Sequence, residues 1–180
     1  MLCNEKENGI EKCVNYWSEK NKLTKYKIEI VKEKEKKNLQ CKIRDIKLIN
    51  SLTKKEIIVK QIHFIGWPDH GVPDTKDGKI FNIFTEIIKL VDEYRKDCPI
   101  VVHCSAGVGR TGTFISIYCL YHEIKKQIED KVKEIHFSIF NFVRKLKEMR
   151  LYSVQTEIQY IFIYSYVNNL LLTKKKKKNF

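Results

Sequence analysis

The stretch that most restricts what this chain can become is PIVVHCSAGVGRTGTF, Pro99 to Phe114. An apolar run enters a loop of small residues, and the loop opens into a helical pattern. The run Pro99–His103 reads as a short buried strand. From Thr111 to Lys126 the spacing predicts a helix with Phe114, Ile115, Tyr118 and Tyr121 on one side. Between them stand Cys104 and Arg110, in the pattern C-x5-R with only small residues inside. A loop of this kind at a helix N-terminus turns successive backbone N–H groups inward. Those amides and the helix dipole favour an anion at their centre. The same field favours the thiolate of Cys104. The planar fork of Arg110 holds two phosphate oxygens at once, which a lysine does less well. The loop therefore reads as a phosphate cradle with a nucleophile at its base.

Two other phosphate loops fit parts of the stretch and fail on the rest. Gly107-Val108-Gly109-Arg110-Thr111-Gly112 satisfies G-x-G-x-x-G. A dinucleotide fold then needs a second buried parallel strand, and the segment that follows, KKQIEDKVKE, is too charged for one. A nucleotide-triphosphate loop needs Lys after its last glycine, where Thr113 stands.

The rest of the chain supplies one domain. At 180 residues with 43% hydrophobic side chains it is long and apolar enough for a real core. Residues 24–31, 41–49 and 55–65 alternate as strands do, with Asn50–Thr53 as a connection, so an antiparallel meander is expected. After GWPDHGVPD the period changes to a helical one. Helices are expected at 75–95, capped by Asp74 or Thr75, at 136–149, and from Thr156 to about Leu172. Strands first and helices later argue for a layered α+β or mixed α/β domain. The 35 basic residues exceed the 22 acidic ones by 13, which favours anionic partners, although lysines spread along the whole chain are mostly solvated faces. The six cysteines form no C-x-x-C pair, and no secretory signal opens the chain. Cys13, Cys98 and Cys119 read as buried packing, Cys3 and Cys41 as incidental. The run YIFIYSYVNNLLL is broken by polar residues and is too short to span a membrane. A reducing, intracellular compartment is the simplest expectation.

The full loop VHCSAGVGRTG closely resembles the signature loop of the protein tyrosine phosphatases, in the phosphotyrosine-selective branch. WPDHGVP (67–73) resembles that family's mobile acid loop. EKCVNYW (11–17) resembles its K-C-x-x-Y-W motif, and VQTEIQYIF (154–162) its glutamine motif. The four stand in the family's order. The fold class this implies is α/β of the α+β type: a twisted mixed β-sheet flanked by helices, with the cysteine phosphate loop between a central strand and a helix N-terminus. The domain is expected over 1–172, followed by a disordered Lys-rich tail at 173–180.

The resemblance assigns roles residue by residue. Cys104 is the nucleophile, and Arg110 with the amides of Ser105, Ala106, Gly107, Val108 and Gly109 binds the phosphoryl oxygens. Asp69 is the general acid and then the base. Gln155 positions water, with Gln159 assisting, and Thr111 donates its hydroxyl to the cysteine sulfur. His103 orders the loop, Trp67 anchors the acid loop, and Lys12 contacts that loop when it closes. Glu7 matches an acid that pairs with the cradle arginine. No metal and no cofactor are implied. The partners are phosphotyrosine-containing proteins, with no nucleic acid, and the location is cytoplasmic unless the lysine tail directs the chain to a nucleus or a membrane surface. The resemblance enters well inside the family domain, so an N-terminal portion with the family's K-N-R-Y loop is expected to be absent. Ser18 stands where the family has the Pro of Y-W-P. The alternative to an enzyme is a catalytically weak or inactive phosphotyrosine-binding, substrate-trapping domain.

Overall fold

The computed structural model describes residues 1–18, 25–68 and 71–178, with side chains as far as Thr173. The chain opens with a small hairpin, β1 (Lys6–Glu7) against β2 (Ile10–Glu11). Asn8 and Gly9 turn it, both with positive φ. The expected meander follows as β3 (Tyr26–Lys36), β4 (Cys41–Asn50) and β5 (Glu56–Phe64), antiparallel and in that order. Asn50 makes the β4–β5 connection by accepting from the amides of Leu52 and Thr53 through its side-chain oxygen.

Register sorts the sheet's two faces. Cys41↔Phe64 and Ile43↔Ile62 lie on one face, toward the helices. Arg44↔Gln61 and Lys42↔His63 lie on the other. The central strand is thus covered on both faces, and its inward run is not purely apolar. Four helices complete the fold: α1 (Lys79–Arg95), α2 (Gly109–Glu129), α3 (Ile139–Met149) and α4 (Glu157–Lys178). The core is one cluster centred on α2, whose Phe114, Ile117, Leu120 and Ile124 are buried. Phe84 of α1 sits at its heart, 5.5 Å from Phe64 and from Trp67 and 5.4 Å from Phe162 between ring centres.

Several local expectations are corrected. The first helix begins at Lys79 and not at Thr75, because residues 75–78 close a turn through Gly78 N–H to Thr75 C=O and Gly78 takes φ +67°. Asp77, not Asp74 or Thr75, accepts from the first helical amide. The helix after His136 starts three residues later, at a Ser138 cap that accepts from Asn141 N–H. Only Ile139 and Val143 of its stripe are fully buried. The α2 helix begins two residues earlier than periodicity indicates, inside the small-residue loop itself. Residues 99–103 form no ladder among the described residues. Leu2 N–H donates to His103 C=O at 2.9 Å, but Val101 is 84% exposed. A buried parallel strand needs neighbours on both sides, and all the pairings described here are antiparallel. The cysteines also reverse their expected places. Cys3 and Cys41 are buried, Cys98 is exposed, and Cys13 and Cys119 are half-buried, all six unbridged. The lysine tail's side chains from 174 onward, and residues 179–180, lie outside the described residues.

Truncating Phe84 removes the ring on which four other aromatics, Phe64, Trp67, Phe114 and Phe162, converge. Phe84→Ala is expected to lower the unfolding free energy by about 3–5 kcal/mol, read from the urea midpoint with an unchanged denaturant slope.

Candidate active site

The site is built at the junction of residues 99–108 and α2. Cys104 is buried just before the helix, while Ser105 and Ala106 stand exposed. Gly107 takes φ +72°, a conformation that costs a glycine little. It lets the chain curl so that the amides of Gly107, Val108 and Thr111 turn toward the sulfur. Thr111 donates its hydroxyl to Cys104 Sγ at 3.1 Å. Burial alone pushes the Cys104 thiol up, but the Thr111 hydroxyl and the loop amides outweigh it. The net effect holds the thiol below its ordinary value. The other buried thiols show the opposite balance: Cys3 and Cys41 have no such donors and burial pushes each to about 12.

Arg110 is the second residue of α2 and its side chain is 7% exposed. Both Nη atoms donate to Glu7, Nη1 to Oε1 and Nη2 to Oε2, each at 2.6 Å. Nη1 also donates to Leu2 C=O at 3.2 Å. A doubly held guanidinium has its plane fixed before any ligand arrives.

The turn before α4 closes on the loop from the other side. Val154 N–H donates to Val108 C=O at 3.2 Å, and Lys147 Nζ donates to Val154 C=O at 3.1 Å. Val154 is held at φ +56°, strained for a β-branched residue. Gly112 permits the approach, since a Cβ there would lie 2.6 Å from Val154 N. This turn brings Gln155 and Gln159 to the loop. A Cβ at Gly109 would meet Gln159 Nε2 at 3.0 Å and Gln155 Oε1 at 3.2 Å. Gln159 is buried and accepts from Gln155 N–H at 3.0 Å, so it holds in place the turn that carries Gln155.

A family model described as protein-tyrosine phosphatase matches residues 1–169. The chain belongs to the protein-tyrosine phosphatase family. It is 37% identical over 182 residues to the receptor-type tyrosine-protein phosphatase eta of Gallus gallus, covering 99% of this chain and 12% of that protein. It is 34% identical to the tyrosine-protein phosphatase non-receptor type 20 of Rattus norvegicus, covering 95% of this chain and 38% of that one. A solved structure from work on the PTPN18 fingerprint on distinct HER2 tyrosine phosphorylation sites superposes with a TM-score of 0.78 at 28% identity. The match covers 94% of this chain and 58% of that one. The Trypanosoma brucei protein tyrosine phosphatase TbPTP1 superposes at 0.76, also at 28% identity, over 94% of this chain and 59% of its own. The chain thus spans less than two thirds of each of these relatives.

Among protein-tyrosine phosphatase motifs, the structure brings together Cys104, Arg110, Thr111, Gln155, Gln159 and the loop glycines, with His103 beside them. Trp67 is buried between Phe64, Phe84 and Phe162 and donates its ring N–H to Gly71 C=O at 3.0 Å, which ties residue 71 to residue 67. Asp69 lies outside the described residues. Lys12 is half-buried next to the hairpin, its amide bonded to Glu5 C=O. The site residues that sequence reasoning overlooked are Tyr16 and Arg150. Tyr16 lies inside K-C-x-x-Y-W, and its hydroxyl is 2.7 Å from His103 Nε2. Arg150 Nη2 donates to Ala106 C=O at 3.2 Å and would lie 3.0 Å from a Cβ at Gly107. No local pattern points to Arg150, since its contact is made 44 residues away. A cleft of about 390 Å³ between α3 and α4, lined by Phe137, Phe140, Tyr164 and Leu171, is remote from this chemistry.

Thr111→Ala removes a donor that favours the thiolate. A hydrogen bond to a charged group contributes about 1.5–3 kcal/mol, so the Cys104 thiol is expected to rise by about one pH unit or more. The midpoint of iodoacetamide alkylation against pH then moves to higher pH, while Thr111→Ser leaves it near the wild-type position.

Proposed function

We propose that this chain hydrolyses phosphotyrosine in proteins through a phosphocysteine intermediate. The observation that carries the reading is the thiolate-favouring loop around Cys104, with Arg110 fixed beside it by Glu7. The Cys104 thiolate attacks phosphorus in line, the P–O bond to the phenol breaks, and the leaving oxygen takes a proton from Asp69. Arg110 and the loop amides stabilise the charge on the equatorial oxygens, and this electrostatic effect is the larger share of catalysis. Thr111 stabilises the sulfur as it departs. In the second step Asp69 accepts a proton from water that Gln155 positions. Oxygen bonds to phosphorus, the P–S bond breaks, and phosphate and the Cys104 thiolate are released. Gln159 supports Gln155, His103 supports the loop, and Trp67 and Lys12 support the acid loop.

The domain is 1–172 and the lysine-rich end is an accessory to it. The location is cytoplasmic. Among the described residues no helix is long and apolar enough to cross a membrane, and the relatives include both receptor-type and non-receptor phosphatases. Substrates are proteins bearing phosphotyrosine, and the excess of basic residues favours acidic sequences around it.

The test is hydrolysis of a phosphotyrosine peptide in the presence of a metal chelator. Wild-type turnover is expected, with none in Cys104→Ser. Asp69→Ala is expected to lower kcat by about 10²–10⁴-fold, the usual contribution of a general acid, while peptide binding persists. Binding without turnover by the wild type would make this a phosphotyrosine-binding domain instead.

A further inference from the structure

The sheet carries a polar row that the chemistry above does not use. Glu33, Arg44 and Gln61 occupy directly opposed positions on β3, β4 and β5. Arg44 and Gln61 are buried, and Trp17 covers the guanidinium with its ring centre 4.6 Å from Cζ. Glu33 pairs with Arg44 Nε. Arg44 Nη1 donates to Gln61 Oε1 at 2.7 Å. Gln61 Nε2 lies 2.8 Å from the Tyr16 hydroxyl, which lies 2.7 Å from His103 Nε2. His103 Nδ1 lies 3.1 Å from Cys104 C=O. The row on the sheet therefore continues, bond by bond, to the backbone of the nucleophile.

The direction of every proton in this chain is fixed by its two ends. A guanidinium only donates, so the amide atom facing Arg44 is oxygen and the one facing Tyr16 is the NH2 group. Gln61 then donates to the Tyr16 oxygen, and the phenolic hydrogen is left to donate to His103 Nε2. At the far end a carbonyl only accepts, so His103 Nδ1 carries a hydrogen. Both ends require the same state: a neutral imidazole protonated at Nδ1. The same guanidinium settles a second histidine. Arg44 Nη1 approaches His63 Nδ1 at 3.3 Å, and His63 Nε2–H donates to Cys3 C=O at 2.8 Å.

We propose that Gln61, oriented by Arg44, is a positioning residue for the catalytic loop: it sets the sense of the Tyr16–His103 bond so that neutral His103 holds the Cys104 carbonyl through Nδ1–H. Holding that carbonyl back leaves the Cys104 peptide turned so that the loop amides face the sulfur. The inference rests on Cys104 being the nucleophile of the proposed reaction. The groups facing His103 are Tyr16, the Cys104 backbone and, at longer range, the Met1 ammonium. Burial pushes the imidazole below its ordinary value, the bond to the Cys104 carbonyl raises it, and the ammonium lowers it. Facing Gln61 are Arg44, Tyr16 and the Met1 sulfur.

Gln61→Glu tests the sense of the chain without removing the bond to Arg44, so the buried guanidinium keeps its partner. A carboxylate accepts from Arg44 and from Tyr16 alike. The phenolic hydrogen then turns to residue 61, the Tyr16 oxygen accepts from His103 Nε2–H, and the Cys104 carbonyl still requires Nδ1–H. The ring becomes an imidazolium. Ring-nitrogen NMR is expected to show Nδ1–H alone in the wild type near neutral pH and both nitrogens protonated in Gln61→Glu, with the His103 midpoint moved up by about one pH unit or more. The alkylation profile of Cys104 gains a second inflection at that midpoint. Tyr16→Phe, at a ring already 39% exposed, cuts the link between residue 61 and the ring, so Gln61→Glu made in that background is expected to leave His103 with Nδ1–H alone and its midpoint unmoved. A wild-type His103 spectrum and a wild-type alkylation profile in Gln61→Glu would overturn the proposal. Neither measurement needs turnover, so failure of the phosphatase reading would appear separately, as a wild-type chain that hydrolyses no phosphopeptide.

Discussion

The ion pair between Arg110 and Glu7 is the tie on which the site depends. A guanidinium at the start of α2 is screened from water by the hairpin that covers it, and a buried unpaired charge is too costly to persist. The carboxylate that meets it comes from a strand of only two residues, β1. That hairpin has little core of its own. Its Ile10 is exposed, and Glu7 is its buried side chain. The pair therefore works in both directions. It fixes the plane of the Arg110 guanidinium, and it fastens residues 1–18 over the sheet, where Tyr16 and Trp17 reach the second polar cluster. Such a pair is weak evidence for net stability, because desolvation offsets most of the attraction. Its clearer consequence is geometric, since two parallel hydrogen bonds leave the fork one plane to lie in.

The cysteine loop solves a related problem with dipoles. Burial opposes the thiolate at Cys104 as it does at Cys3 and Cys41. What differs is the number of donors aimed at the sulfur. Three backbone amides and one hydroxyl reverse the sign at Cys104. Small residues are needed for this, and two glycines show the reason most directly. Gly107 lets the loop curl at positive φ, and Gly112 lets the strained Val154 turn reach the loop's back. Strain of this kind costs about 1–3 kcal/mol. It is sustained here because Val154 is bonded on both sides, by Val108 and by Lys147.

What was legible in the sequence follows from how local each cause is. Cys104, Arg110 and Thr111 fall within eight residues, so their chemistry was readable from one loop. The meander was readable because alternation of period two survives any choice of partner. The strand expected at 99–103 was not realised as a ladder, because apolar composition announces burial but not which neighbours provide it. The cysteines went astray for the same reason. Cys41 is buried because it faces Phe64 across the β4–β5 register, and Cys98 is exposed because it follows the end of α1. Arg44 reads in sequence as an ordinary charge on a half-exposed strand. Only register places it between Glu33 and Gln61 and beneath Trp17.

The chain's charge makes the same point about position. Thirty-five basic residues suggest an electrostatic surface, yet among the described residues the buried Lys and Arg side chains are two arginines, Arg44 and Arg110. Each meets a carboxylate supplied from a strand, Glu33 for Arg44 and Glu7 for Arg110. Each makes further N–H bonds besides, and because a guanidinium cannot accept, those bonds impose a direction on whatever they touch. At Arg110 the direction is toward the Leu2 carbonyl. At Arg44 it runs into Gln61 and His63 and decides where two imidazoles carry their protons. A lysine at either place would keep the charge and lose the directionality, since its ammonium rotates freely about one bond. The loop's amides face the sulfur in part because a rigid donor on the sheet, four hydrogen bonds away, permits only one arrangement between them.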